Sequence, residues 1–168
     1  MTRGTRTFSV TGMAGQIFSP RLHGFAETAG LGVEFGRLVG RRLELGVELL
    51  PAIWISQPRT FDGQGRENVY AVAADLILRW YPDLLGPRVL PYLEAAEGPA
   101  WSPDRMPVAG TRFNFLTQFG VGCVFRTGES WSTVLGWRFA HISNANLGEH
   151  DPGWTFSLLL VGGRLYLP

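Results

Sequence analysis

From Tyr70 to Trp80 the chain alternates without a break: Tyr70, Val72, Ala74, Leu76, Leu78 and Trp80 take one set of positions, and Ala71, Ala73, Asp75 and Arg79 the other. A period of two puts the sets on opposite faces of a β-strand, one wholly apolar and one carrying charge. The ten residue steps from Tyr70 to Trp80 cover about 33 Å along a strand, or about 25 Å of height at a tilt near 40°. A band of that height with an aromatic residue at each end fits the lipid-facing surface of an outer-membrane β-barrel.

The pattern recurs. Leu43, Leu45, Val47, Leu49, Ile53 and Ile55 oppose Arg42, Glu44, Gly46 and Glu48. Phe113, Phe115, Phe119, Val121, Cys123 and Phe125 oppose Asn114, Gln118, Gly120, Gly122 and Arg126, and Ala29, Leu31, Val33 and Phe35 oppose Gly30, Gly32, Glu34 and Gly36. In all, eight strands are expected, near 5–16, 27–38, 41–55, 68–81, 88–99, 112–126, 131–145 and 154–167. The first is weakly patterned, the fifth is interrupted by Pro91, and the eighth is apolar on both faces. The fold expected is an all-β, eight-stranded antiparallel up-and-down barrel, with residues 1–168 forming a single domain. Small and polar residues on the inward face suit a narrow lumen filled by side chains. Connections near 38–41, 82–87 and 127–130 read as short periplasmic turns, and those near 17–26, 56–67, 100–111 and 146–153 as longer outer loops.

Composition excludes other classes. All 15 basic residues are Arg, set against 14 acidic ones, a near balance that argues against nucleic acid as partner. Three His at unsuitable spacings offer no metal site, no glycine-rich phosphate or dinucleotide fingerprint occurs, and no cofactor is expected. The lone Cys123 allows no internal disulfide and sits in an apolar row, where packing is its expected role. Met1-Thr2-Arg3-Gly4 carries no apolar signal segment, so an exported chain would have lost its signal.

The chemistry gathers in Trp137-Arg138-Phe139-Ala140-His141-Ile142-Ser143-Asn144-Ala145. On a strand His141 and Ser143 share a face and lie about 7 Å apart, within reach of a base and a nucleophile. They end an apolar row of Leu135, Trp137 and Phe139, so the structural alternative is a buried His bonded to a neighbouring Ser. The longer run from Trp137 to Gly153 resembles the signature of the outer-membrane lipid A 3-O-deacylases, the PagL family, in its R-F-x-H-x-S-N-A segment and its closing D-P-G turn.

The resemblance implies an esterase that cleaves an acyl ester of lipid A in lipopolysaccharide, working among outer-membrane lipids in the bacterial outer membrane. It would make Ser143 the nucleophile, His141 the general base and Asn144 an oxyanion donor. The family's acidic partner falls at Thr155, which cannot supply negative charge, and leaves Glu149 or Asp151 as candidates for that role. Arg21, Arg59, Arg66 and Arg105, in or beside outer loops, are candidates for lipid A phosphates. A homodimer stands beside a monomer as an alternative. The competing functions are a catalytically silent barrel of the same family, which suits Thr155, and a soluble lipocalin-like binder, whose interior would instead be the apolar face.

Overall fold

In this computed structural model, which describes residues 3–18, 26–60 and 63–167, eight strands close into one antiparallel barrel in simple chain order. They are β1 (Arg6–Phe18), β2 (Ala26–Leu38), β3 (Leu43–Gln57), β4 (Glu67–Trp80), β5 (Val89–Met106), β6 (Thr111–Arg126), β7 (Trp131–Ser143) and β8 (Trp154–Leu167). Closure comes from β1 pairing with β8, Arg6 opposite Leu167, so no strand edge is left unpaired. The outward rows of β2, β4, β6 and β7 are those expected: Leu76, Leu78, Phe119, Trp137 and Phe139 are exposed, while Glu34, Glu44, Glu48, Asp75 and Arg79 are buried in the lumen. Tyr70, Trp101 and Phe113 ring the outer end; Trp80, Phe125 and Trp131 ring the other. A closed barrel whose outer face carries this much exposed apolar surface is built for a lipid solvent.

Three layers fill the lumen. Beneath the outer rim lies an apolar cluster including Leu50, Ile55, Leu116, Ile142, Trp154, Phe156 and Leu158. Lower down, Arg79 bridges Glu34, Glu44 and Glu94; Arg138 bridges Glu48 and Glu94; and Arg164 bridges Glu34 and Glu44. Leu38, Tyr81, Tyr92, Val124 and Val134 close the inner end. The double apolar face of β8 follows from this layering: Phe156, Leu158 and Leu160 fill the lumen while Leu159 and Val161 face lipid.

Four expectations are corrected. Ile53 and Ile55 do not continue the outward row of β3, because the register with β4 shifts between Leu50 and Ile53. One extra residue at Pro51–Ala52 reverses the alternation, turning Ile55 into the apolar lumen cluster with Ile53 packed against it. The connection expected at 100–111 is mostly strand: β5 runs through Pro91 to Met106, and only residues 107–110 turn into β6. Pro91 fits within β5 because it lies beyond Leu93, where the pairing with β4 ends, on a stretch paired only with β6, opposite Cys123. Loop lengths therefore alternate less cleanly than expected, with residues 81–88 longer than 107–110. The seventh strand ends at Ser143 instead of Ala145.

Candidate active site

Ser143 is the last residue of β7, and His141 lies two before it on the same outward face. Register supplies their neighbours. His141 stands opposite Thr117 on β6 and Thr155 on β8, and Ser143 stands opposite Phe115. The imidazole Nδ1 lies 3.1 Å from the Thr155 hydroxyl. A proton on Nδ1 donated to Thr155 leaves Nε2 as the acceptor, which is the tautomer a general base needs. On the far side, Cε1 and Nε2 face the loop that follows: a Cβ added at Gly153 would stand 3.1 Å from Cε1 and 3.3 Å from Nε2. Gly153 also has φ +51°, so both its backbone and the space against the ring call for glycine.

The loop from 144 to 153 folds back over Ser143 through two successive left-handed residues, Ala145 at φ 53° and Asn146 at φ 60°. The Leu147 N–H donates to the Asn144 carbonyl at 3.0 Å, closing the turn. This geometry aims several donors at one carboxylate. Ser143 Oγ donates to Asp151 Oδ2 at 2.7 Å, and the backbone N–H groups of Asn144 and Asn146 donate to the same carboxylate at 3.2 and 3.3 Å. The Ala145 N–H in turn donates to Ser143 Oγ at 3.0 Å. Partial burial pushes the Asp151 carboxyl up, but the Ser143 hydroxyl and the N–H groups of Asn144, Asn146 and Gly153 outweigh it, holding the group below the usual carboxylate value.

The expected residues are therefore brought together unevenly. His141 and Ser143 share a face, but among the described residues no hydrogen bond joins them; the imidazole is engaged with Thr155 and the hydroxyl with Asp151. The Asn144 side chain is buried, and its amide donates to the His150 carbonyl at 2.8 Å, so its backbone N–H is the donor beside Ser143. Glu149 is exposed and lines a cleft with Arg105 and Arg112. Of the arginine candidates, Arg66 is bonded to Ser56 Oγ at 3.1 Å, Arg59 is exposed, and Arg21 falls outside the described residues.

Sequence reasoning missed one polar feature of the lipid face. Glu97, Thr117, His141 and Thr155 stand opposite one another across β5 to β8, with the Thr117 hydroxyl donating to Glu97. Glu97 lies in the outward row between Leu93 and Trp101. The signal available in the sequence was a carboxylate at an outward position of a lipid-facing strand, hidden because the fifth strand's alternation was obscured by Pro91 and Pro99.

The family model described as lipid A 3-O-deacylase (PagL) matches residues 53–164, more than half of the chain and the part that contains this site. Comparison with curated proteins gives no match. Among solved structures, Neisserial surface protein A is similar at a TM-score of 0.70 and 13% identity, covering 98% of this chain and 100% of its own. The outer-membrane enzyme PagL is similar at a TM-score of 0.67 and 19% identity, covering 92% of this chain and 97% of its own. OprG from Pseudomonas aeruginosa is similar at a TM-score of 0.62 and 9% identity, covering 99% of this chain and 97% of its own. At these identities the structural likenesses speak for the barrel fold.

Proposed function

Since this chain belongs to the lipid A 3-O-deacylase (PagL) family and has the barrel fold of bacterial outer-membrane proteins, we propose that it hydrolyses an acyl ester of lipid A with Ser143 as nucleophile and His141 as base. The observation that carries this reading is the joint position of the two side chains: adjacent on the outward face, at the rim end of the apolar row Leu135, Trp137 and Phe139. A membrane lipid can lay its acyl chain along that row and bring its ester to Ser143 without leaving the bilayer. A soluble ester has no comparable path.

Ser143 Oγ attacks the ester carbonyl while its proton passes to His141 Nε2, after the hydroxyl turns from Asp151 toward the ring. The tetrahedral intermediate collapses as the sugar oxygen leaves with the proton from His141. Water, deprotonated by the same imidazole, then attacks the acyl-serine; the acyl–oxygen bond breaks, the imidazolium returns the proton to Ser143 Oγ, and the fatty acid leaves. Thr155 holds the ring's tautomer through Nδ1. The backbone N–H groups of Asn144 and Asn146, which converge on the Asp151 carboxylate at rest, are the donors an oxyanion beside Ser143 would use. Asp151 orients the serine hydroxyl and ties the loop down.

One observation favours a catalytically silent barrel: the serine hydroxyl is bonded to Asp151 and not to the imidazole, whose partner Thr155 is uncharged. Mass spectrometry of lipid A incubated with the protein separates the readings. The esterase produces lipid A lacking one acyl chain together with the free fatty acid, whereas the silent barrel leaves lipid A intact.

A further inference from the structure

Beside the serine loop lies a cleft of about 530 Å³ walled by the β5–β6 hairpin and by Glu149 and His150 of the β7–β8 loop. Arg105 and Arg112 line it, flanking the Met106–Thr111 pair on the two strands of the hairpin. Two guanidinium groups lining one cleft repel each other. Among the described residues neither guanidinium has a carboxylate within ion-pair distance, whereas each of the three lumen arginines holds at least two. Glu149, on the facing wall, reaches neither.

The cleft and Ser143 share one loop. Asn144, next to the nucleophile, donates to the His150 carbonyl, and Gly148 lies so close to Thr111 that an added Cβ would stand 2.6 Å from its methyl group. On the esterase reading, a lipid with its ester at Ser143 would bring its headgroup to the rim where this loop and cleft lie. Two guanidinium forks over one concavity suit the oxygens of a phosphate, and the volume exceeds that of a phosphate alone.

The geometry points to a binding site for the phosphorylated sugar headgroup of a membrane lipid, held by Arg105 and Arg112. This rests on the esterase reading for the position of the headgroup, and its test is a binding measurement that does not need turnover. The Ser143→Ala protein in detergent micelles is titrated with lipid A and with lipid A stripped of its phosphates, and inorganic phosphate is added as competitor. Lipid A should bind about tenfold more tightly than the stripped lipid, and Arg105→Ala and Arg112→Ala should each erase most of that difference. Affinity for the stripped lipid should stay the same in both variants, which also reports that the barrel is folded. Equal binding of the two lipids by Ser143→Ala protein would overturn the proposal, and inorganic phosphate competing as strongly as lipid A would overturn the assignment to a headgroup. Absence of ester hydrolysis in the wild-type protein would overturn the esterase reading and leave the binding difference standing.

Discussion

On the proposed mechanism, Thr155 sets an uncharged hydroxyl beside the Nδ1 of the base, where a carboxylate would give electrostatic help. An uncharged partner fixes the tautomer but does little for the imidazolium that forms in the transition state. Thr155→Glu should therefore raise the rate of lipid A deacylation about tenfold, measured as initial product formation in detergent; an unchanged or lower rate would mean that the ring is not the base. His141→Asn should cost at least a thousandfold in the same assay, because the other acceptor at the serine, Asp151, has its carboxyl held below the usual value and is too weak a base to take the proton. Asp151 makes a prediction of the opposite kind. Its carboxyl sits below the usual value of 3.8, so the loop contacts it accepts contribute stability that is fully present above that value and is lost as pH falls through the lowered one. Protease cleavage within residues 144–153 should stay slow at neutral pH and quicken only in strong acid. In Asp151→Ala it should be fast at every pH. The role of Asp151 was not legible in the sequence: Ser143 and Asp151 meet only because Ala145 and Asn146 adopt left-handed backbone, which neither residue announces.

Strands carried most of what could be read beforehand. Unbroken alternation in β4, β6 and β7 gave their faces correctly, because a one-residue slip would expose charge to lipid and bury the apolar row in a polar lumen. The reading failed at the bulge in β3, where one extra residue at Pro51–Ala52 enters without breaking the apolar composition, and in β5, where proline looked like an interruption and proved to be an outward position. The β7–β8 loop shows how an element can constrain a ring it does not bond. Gly153→Ala would push a methyl group against Cε1 and Nε2 of His141 and strain a positive φ, so activity should fall at least tenfold while the heat-modifiable gel shift of the folded barrel is retained. Full activity in that variant would mean that the loop does not lie over the ring. Glu97→Leu removes a charge from the lipid face, and should stabilise the barrel by about 1 kcal/mol in unfolding from lipid vesicles.

At the scale of the whole barrel, the lumen separates tasks along its axis: apolar packing lies under the rim that carries Ser143 and His141, and the ion pairs lie below it. Arg138 serves both Glu48 and Glu94 from the strand that carries His141, so replacing it by Leu would leave two buried carboxylates short of a partner. Loss of one side of a buried pair costs about 3 to 5 kcal/mol, which should appear as a lower urea midpoint for the folded barrel. A midpoint equal to the wild-type one would show that the lumen tolerates the unpaired charges. This network also explains why charge in the sequence was a guide to the inside and not to solvent. The account as a whole requires that a serine on the outside of this folded barrel cut a lipid, and the measurement that tests it most directly is mass spectrometry of lipid A from outer membranes containing the wild-type protein or Ser143→Ala. The account predicts lipid A lighter by one acyl chain, with the matching free fatty acid, from the wild-type membranes only; intact lipid A from both, or the same product from both, would contradict it.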